Sequence, residues 1–380
     1  MGERGLDPAL PSLERLLDDA EVRRAAVAAG AVEPAAGALI RRTTAWDPGE
    51  GCVATFAVPA GRDNTGRASG DVLCVHATPS GWCYATAADD PALPGLREVL
   101  AGGARVVSYK PGASCVVEIG ADRFGKVVPR REVAVLRAAF DALGRIAALD
   151  DATPTVPEVH DVDHRLGLLV MARVAGRPLR DVVRTSPPDA MVACTALGAA
   201  LGAMHRHRRT ALPPYNPAAD DGEVRRCLPA ARAAAPAEAD RLEGLLDRAS
   251  ARAGTDLGPL GPAHGALRTD QVVVTAGRPA LVDLDGACAA PPERDVANLA
   301  AYLWWRGLRA PSEAHTLAAL VDTAMRAWRT VPDAAPLDVD RLRTWRALSL
   351  LKIAGRRYRN LTIAEWPLVP RLLDEAAACL

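Results

Sequence analysis

The sequence predicts an α+β chain of two lobes, one rich in strands and one mainly helical, behind an N-terminal appendage that is itself α+β. Three observations carry this. Residues 104–128 hold three short strand-like runs, ARVVSY, CVVEI and RFGKVV, and a helical run begins near Glu132 directly after them. Farther on, Ala-rich and charged helical stretches dominate, ACTALGAALGAMHRH among them. Finally, 380 residues with 49% hydrophobic and 24% charged content can bury a large core, more than one lobe requires. The boundaries expected from these shifts are 1–103 for the appendage, 104–175 for the small lobe and 176–380 for the helical lobe.

Within the appendage, residues 8–29 read as one or two amphipathic helices, and 36–86 hold strand-like runs (CVATFAV, DVLCVHA, WCYATA) broken by Gly, Asn and Pro clusters. DDPALPGLREVLAG closes it as a Pro-marked turn into a short helix. In the small lobe the first two strands are joined by the tight KPGAS loop around Gly112, and the third carries Lys126.

Charge excludes some functions. The 46 basic and 46 acidic residues balance, so no global field draws in nucleic acid or an anionic membrane. Eight scattered cysteines lack CxxC or metal-finger spacing, which argues against a disulfide framework or zinc site and for a reducing, cytoplasmic setting. MGERGLDPAL has an early acid and no signal-peptide core, and no run reaches the ~20 apolar residues of a membrane span. Only three lysines occur, Lys110, Lys126 and Lys352, so each merits inspection.

The richest segment runs from His264 to Gln271, HGALRTDQ, with Asp283 twelve residues on in LVDLD. QVVV (271–274) and ALVD (280–283) are β-branched-rich runs separated by TAGRP, a hairpin pattern with Gly277 in the turn. Pairing symmetric about Gly277 sets Gln271 opposite Asp283. An amide oxygen and a carboxylate at a strand base make a hard oxygen site suited to Mg2+. Asp285 shares the face of Asp283 if the strand continues.

These residues resemble the aminoglycoside phosphotransferase family, a small-molecule branch of the protein-kinase-like fold whose loop usually reads HGDxHxxN and ends in IDW or IDF. His264, Gly265, Leu267, Asp283 and Asp295 in RDVANL match that pattern. The resemblance covers roughly 104–305 and implies a bilobal kinase-like fold, ATP or GTP as phosphoryl donor, and Mg2+ held by Gln271 and Asp283. Gln271 for Asn is a mild departure. Ala266 stands where the family places the aspartate that accepts the acceptor's proton, and alanine can neither accept a proton nor orient a hydroxyl.

The resemblance further implies that Lys126 holds the α and β phosphates and pairs with a helix glutamate, Glu132 or else Glu118. Lys110 and Gly112 would line the phosphate loop, and backbone groups from Met171 to Val174 would hold adenine. His264 would brace the loop, and Arg268, in place of the family's second histidine, would reach the γ phosphate. Asp270 points away from the vacant position on any loop that keeps Gln271 on the metal. His205, at a helix end near basic residues, reads as structural.

Nucleotide binding should survive Ala266, and turnover should nearly vanish. A natural pseudokinase and an active enzyme whose aspartate was replaced both fit; retention of Lys126 and Asp283 favours a single recent or deliberate change. Residues 211–258, which help bind the acceptor in relatives, read here as a solvated helical region. The basic tail helix, with Arg341, Arg343, Arg346, Lys352, Arg356, Arg357 and Arg359, reads as a wet face or, less simply, a docking surface. Three roles stay open: phosphorylation of a small-molecule or natural-product hydroxyl, phosphorylation of Ser or Thr in a precursor peptide beside a partner lyase, or a non-catalytic nucleotide-binding scaffold.

Overall fold

A computed structural model of the protein describes residues 6–59, 72–255 and 257–380. The opening MGERG therefore lies outside the described residues. Helices α1 (Leu13–Leu16) and α2 (Asp19–Ala28) precede an antiparallel meander of β1 (Ile40–Asp47), β2 (Gly51–Ala57), β3 (Val72–Thr78) and β4 (Gly81–Thr86). Asp18 starts α2 by accepting the free amides of Ala20 and Glu21, the usual means of satisfying a first helical turn. Helix α3 (Leu96–Ala101) ends the appendage.

Alternation along β3 explains how the appendage is held. Leu73, Val75 and Ala77 join a core shared with the C-terminal helices, whereas Val72 and Cys74 face a second core made with α3 and the small-lobe sheet. The meander is thus wedged between the two lobes. Trp46 anchors it, fully buried with its indole N–H on Asp7 at 2.9 Å.

The small lobe is one sheet in the order β5 (Arg105–Lys110), β6 (Ser114–Ile119), β7 (Arg123–Val127), β9 (Leu168–Ala172) and β8 (Val159–Asp163). Gly112 turns β5 into β6 with φ +72°, a conformation that favours glycine. Helix α4 (Val133–Leu149) lays Leu136, Phe140 and Leu143 into a core shared with Leu169 and Met171 of β9.

The large lobe begins with β10 (Arg177–Pro178), α5 (Leu179–Thr185) and α6 (Pro187–His205), followed by α7 (Pro217–Arg225), α8 (Leu228–Ala234) and α9 (Pro236–Thr255). Short strands then hold the segment from His264 to Gln271: β11 (Gly261–Ala263) pairs with β14 (Cys288–Ala290), and β12 (Val272–Val274) lies between β10 and β13 (Ala280–Leu281). Helices α10 (Glu293–Arg309), α11 (Ala314–Arg329), α12 (Val339–Arg359) and α13 (Val369–Cys379) complete it. Helix α12 packs on α7, α8, α9, α10 and α13, so it is covered on several sides. Among the described residues, no helix is long and apolar enough to cross a membrane.

Candidate active site

The loop after β11 is fixed from beneath by one buried carboxylate. Asp295, near the start of α10, accepts the His264 and Gly265 amides, each at 2.8 Å, and lies 3.1 Å from Nε2 of His205. Burial pushes the Asp295 pKa up, but the His205 hydrogen bond, the His205 and His264 charges and the His264 amide outweigh it and hold it below the ordinary carboxylate value. Asn298, one turn along α10, donates to the Leu267 carbonyl at 2.8 Å. Gly265 is required here: at φ +81° a Cβ would meet the Gly286 carbonyl at 1.9 Å.

His264 is engaged at both ring nitrogens. Nε2 lies 2.9 Å from the Val282 carbonyl and Nδ1 3.4 Å from the Ala266 amide, so the ring ties the loop to the segment that carries Asp283. It braces and has no free nitrogen for proton transfer.

The hairpin register differs by one residue from the symmetric pairing. Val272 faces Leu281 and Val273 faces Ala280, and the Val282 amide donates to the Gln271 carbonyl. Gln271 therefore opposes Val282, because the turn is not centred on Gly277: Thr275 bonds both the Arg278 carbonyl and the Gly277 amide and tightens its first half. The strand does not continue to Asp285 either. Asp283 takes a left-handed backbone, φ 63° and ψ 58°, and Leu284–Gly286 form one turn of 3-10 helix. Such a conformation is costly for most side chains and tolerated by Asp. Its effect is to swing the Asp283 carboxylate back to Gln271, with Nε2 to Oδ2 at 3.2 Å.

Lys126 crosses from β7 to meet both acids. Its ammonium lies 2.6 Å from Asp283 and 2.5 Å from Asp285, with the side chain 4% exposed. Burial alone lowers the Lys126 pKa; Asp283 and Asp285 outweigh it and raise the value. For Asp283, burial raises and the Lys126 and Lys110 charges lower, leaving the carboxyl well below its usual range. An expected Lys126–Glu132 pair is not formed. Glu132 precedes α4 with its carboxylate half exposed, 3.6 Å from Arg131, and Glu118, two residues along β6 from the Lys126 partner Val116, is bound by Arg105 and Arg173. The nearer acids of the large lobe take the lysine.

The residues fit a divalent cation. Among the described residues no cluster of three or more His, Cys, Asp or Glu side chains is arranged to hold a metal, yet Mg2+ commonly takes one or two carboxylates and completes its shell with water and phosphate. Gln271 Oε1 is buried with no hydrogen-bond partner, and two carboxylates converge on a single positive charge beside it.

Lys110 lies at the end of β5 and lines the main cleft with Asp283 and Asp285, and a neighbouring cavity of about 380 Å³ with Glu132 and Leu136. Gly112 sits at the tip of the same hairpin, its amide on Asp90 of the appendage at 2.7 Å. Met171 is buried in β9 opposite Phe124, and Val174 follows it, half-buried. Between them, the Ala172 amide donates to the Glu158 carbonyl and the Arg173 amide to the Asp122 carbonyl.

A cavity of about 580 Å³ opens from Asp283 and Asp285 across Ala266 toward α7 and α12. Its far wall contains residues the sequence reading left as solvated. Asp220 of α7 is buried, 3.0 Å from Lys352 of α12, 3.0 Å from Arg294 and 2.9 Å from the Tyr215 hydroxyl. Burial raises the Asp220 pKa, but Lys352 and Arg294 bring it down to about 2. Glu223 pairs with Arg356, which donates to the Tyr302 hydroxyl at 2.8 Å. The basic tail is correspondingly no wet face: Arg341, Arg346, Arg357 and Arg359 pair with Glu293, Glu375, Glu365 and Asp47. Arg268 stacks over Tyr302 at 5.3 Å and lines the same cavity, whereas Asp270 faces a separate one near Arg180 and Arg184. No local signal singles out Asp220 from its neighbours Asp221 and Glu223 on the same helix, because its partners lie 74 and 132 residues away.

A family model, the phosphotransferase enzyme family, matches residues 111–334. The chain belongs to that family. Among solved structures it is similar to the amicoumacin kinase hAmiN in complex with AMP-PNP, Ca2+ and Ami, with TM-score 0.55, 14% identity, and coverage of 74% of this chain and 92% of that one. It is also similar to choline kinase LicA from Streptococcus pneumoniae, with TM-score 0.50, 11% identity, and coverage of 74% and 98%. A weaker likeness, TM-score 0.47 at 20% identity over 70% and 97% of the two chains, is to the aminoglycoside phosphotransferase APH(3'')-Id from Streptomyces rimosus. At these identities the likeness establishes the kinase-like fold. No curated protein matches the sequence significantly.

Proposed function

We propose that this chain binds Mg2+ with ATP or GTP in the cleft between its lobes and directs the γ phosphoryl group to a hydroxyl of a small molecule or natural-product precursor, with turnover held low by Ala266. The observation that carries the reading is the buried Lys126 ammonium set between Asp283 and Asp285 from the opposite lobe. When nucleotide enters, its phosphates offer Lys126 alternative oxygens and free the two carboxylates. Bound Mg2+ would supply charge neutralisation on the terminal phosphates. Gln271 and Asp283 would hold it, with Asp285 beside them. Gly112 and Lys110 close over the phosphates from the small lobe, and the Met171–Val174 segment borders the base.

The acceptor would occupy the cavity over Ala266. Its volume, about 580 Å³, suits a small molecule, and Pro213–Asn216, Asp220 and Glu223 form one side of it. This favours a small-molecule hydroxyl over a peptide served by a partner lyase. At position 266 nothing takes the hydroxyl proton. The other carboxylates of the cavity are engaged in ion pairs, and Asp220, down to about 2, is a poor base.

The test is calorimetry with AMP-PNP and GMP-PNP, with and without Mg2+, followed by Ala266→Asp and mass spectrometry against a hydroxyl library. We expect Mg2+-dependent nucleotide binding in both forms and a gain of about 10²- to 10⁴-fold in phosphoryl transfer with the aspartate. Absence of nucleotide binding overturns the site. Binding without any gain in transfer turns the reading to a nucleotide-binding scaffold.

A further inference from the structure

We propose that the acceptor of this site is an anion, a hydroxyl compound bearing a carboxylate or phosphate ester that docks against Arg226, Arg268, Lys352 and Arg356. The proposal rests on the phosphotransfer reading and names the class of its acceptor.

Away from Asp283 and Asp285, the cavity wall carries five cations, Arg226, Arg268, Arg294, Lys352 and Arg356, against two carboxylates, Asp220 and Glu223. Local ion pairs do not balance them. Glu223 takes Arg356, while Asp220 is shared by Arg294 and Lys352, which leaves one positive charge over. Arg226 forms no ion pair among the described residues. Arg268 lines both this cavity and the neighbouring one; it stacks over Tyr302, Asp270 at 3.2 Å is the one carboxylate it pairs with among the described residues, and its Nε is buried with no hydrogen-bond partner.

Tyr302 reports the field that results. Burial should push its phenol pKa up; instead Arg356, Arg268 and Lys352 outweigh burial and lower it. The protein thus stabilises an oxygen anion at this wall. Clustered cations in a partly desolvated space repel one another until an anion reaches them, and guanidinium forks match planar carboxylates and phosphates in two-point hydrogen bonds. A cationic acceptor would meet like charge here. An anion on this wall would leave the rest of the molecule extending over Ala266 toward the phosphate-binding acids, which line the same cavity.

The experiment uses the full chain saturated with Mg2+ and AMP-PNP and four small hydroxyl probes: glycerol, glycerol 3-phosphate, glycerate and choline. Ligand-observed NMR titration should give at least about tenfold tighter binding for glycerol 3-phosphate or glycerate than for glycerol or choline, weakening with added salt. The ranking of the two anions separates a phosphate site from a carboxylate site. Arg268→Gln should lower affinity for the preferred anion by about tenfold. Arg226→Gln, at an exposed position that folding does not depend on, should lower it by about threefold. No charge preference, whether from equal binding or from no binding of any probe, overturns the proposal, as does a preference for choline. Loss of AMP-PNP affinity in Arg268→Gln would place that guanidinium on the nucleotide and also overturn it. Failure of AMP-PNP to bind the unaltered chain would instead sink the phosphotransfer reading beneath it.

Discussion

The two ends of the central cavity are built differently. At the phosphate end, Lys126, Gln271, Asp283, His264 and Asp295 come from one β-strand, one hairpin, the loop after β11 and the start of one helix, and their polar groups are paired except Gln271 Oε1, which is left open. At the acceptor end, the position central to proton transfer is an alanine, and the wall is assembled from α7, α10 and α12, with charge left over. On the proposed function, a site can keep the residues that would hold a nucleotide while its second half differs, because the two halves share few residues.

The largest expected effect falls on the phosphate end. Lys126→Met removes the one cation that, among the described residues, touches both Asp283 and Asp285, and leaves the two acids facing one another. AMP-PNP affinity should fall about 10²-fold or more, in keeping with the loss of one partner from a buried charge pair. Calorimetry at fixed Mg2+ reads this directly. An affinity within threefold of the original would show that the nucleotide does not use the lysine, and the contrast between the ends would lose its basis.

Legibility in the sequence follows the same division. The phosphate end lies in stretches where a few adjacent residues carry the signal: HGALRTDQ, the LVDLD run and a lysine in mid-strand. The hairpin itself could be read, yet its register could not, because side-chain bonds from Thr275 set the turn, and the left-handed backbone of Asp283 restores what the shift would have lost. Lys126 was found and its partner was not; Glu132 is near in sequence, whereas Asp283 and Asp285 are 157 and 159 residues away. The acceptor end offered no local pattern. Asp220 on an otherwise polar helix and Lys352 in a basic run look like solvated charges until α7 and α12 are packed together. Helix α12 lacked a clean apolar stripe for a related reason: with neighbours on several sides, its arginines reach past the helix to distant acids instead of into water.

Asp220→Asn sharpens the comparison from the acceptor side. In the folded chain its carboxyl sits at about 2, below its ordinary value, so the stabilisation is present above the ordinary carboxylate range and is lost as pH falls from about 4 toward 2. The size of that contribution is about 2 kcal/mol. The amide variant should be less stable by about 3 kcal/mol at neutral pH, since Lys352 and Arg294 are left buried without their anion, and its denaturant midpoint should change less between pH 4 and pH 2. AMP-PNP affinity should stay within threefold. A large loss of nucleotide affinity in this variant would mean that the two ends are coupled and that the division drawn between them is wrong.

The smallest effect concerns the appendage, which hydrogen-bonds the phosphate-end hairpin through Asp90. Asp90 accepts the Gly112 amide at 2.7 Å and the Tyr109 hydroxyl at 2.8 Å, fixing the tip of the β5–β6 hairpin that the proposed function sets over the phosphates. Asp90→Ala removes both bonds at a partly exposed site, so stability should drop by about 1 kcal/mol. The freed turn must then be ordered when nucleotide binds, and AMP-PNP affinity should fall by less than about tenfold. The opposite sign carries as much information. If affinity rises, the carboxylate has been occupying an amide that phosphate needs, and the appendage restrains the phosphate end where the wedge between the lobes suggests that it supports it.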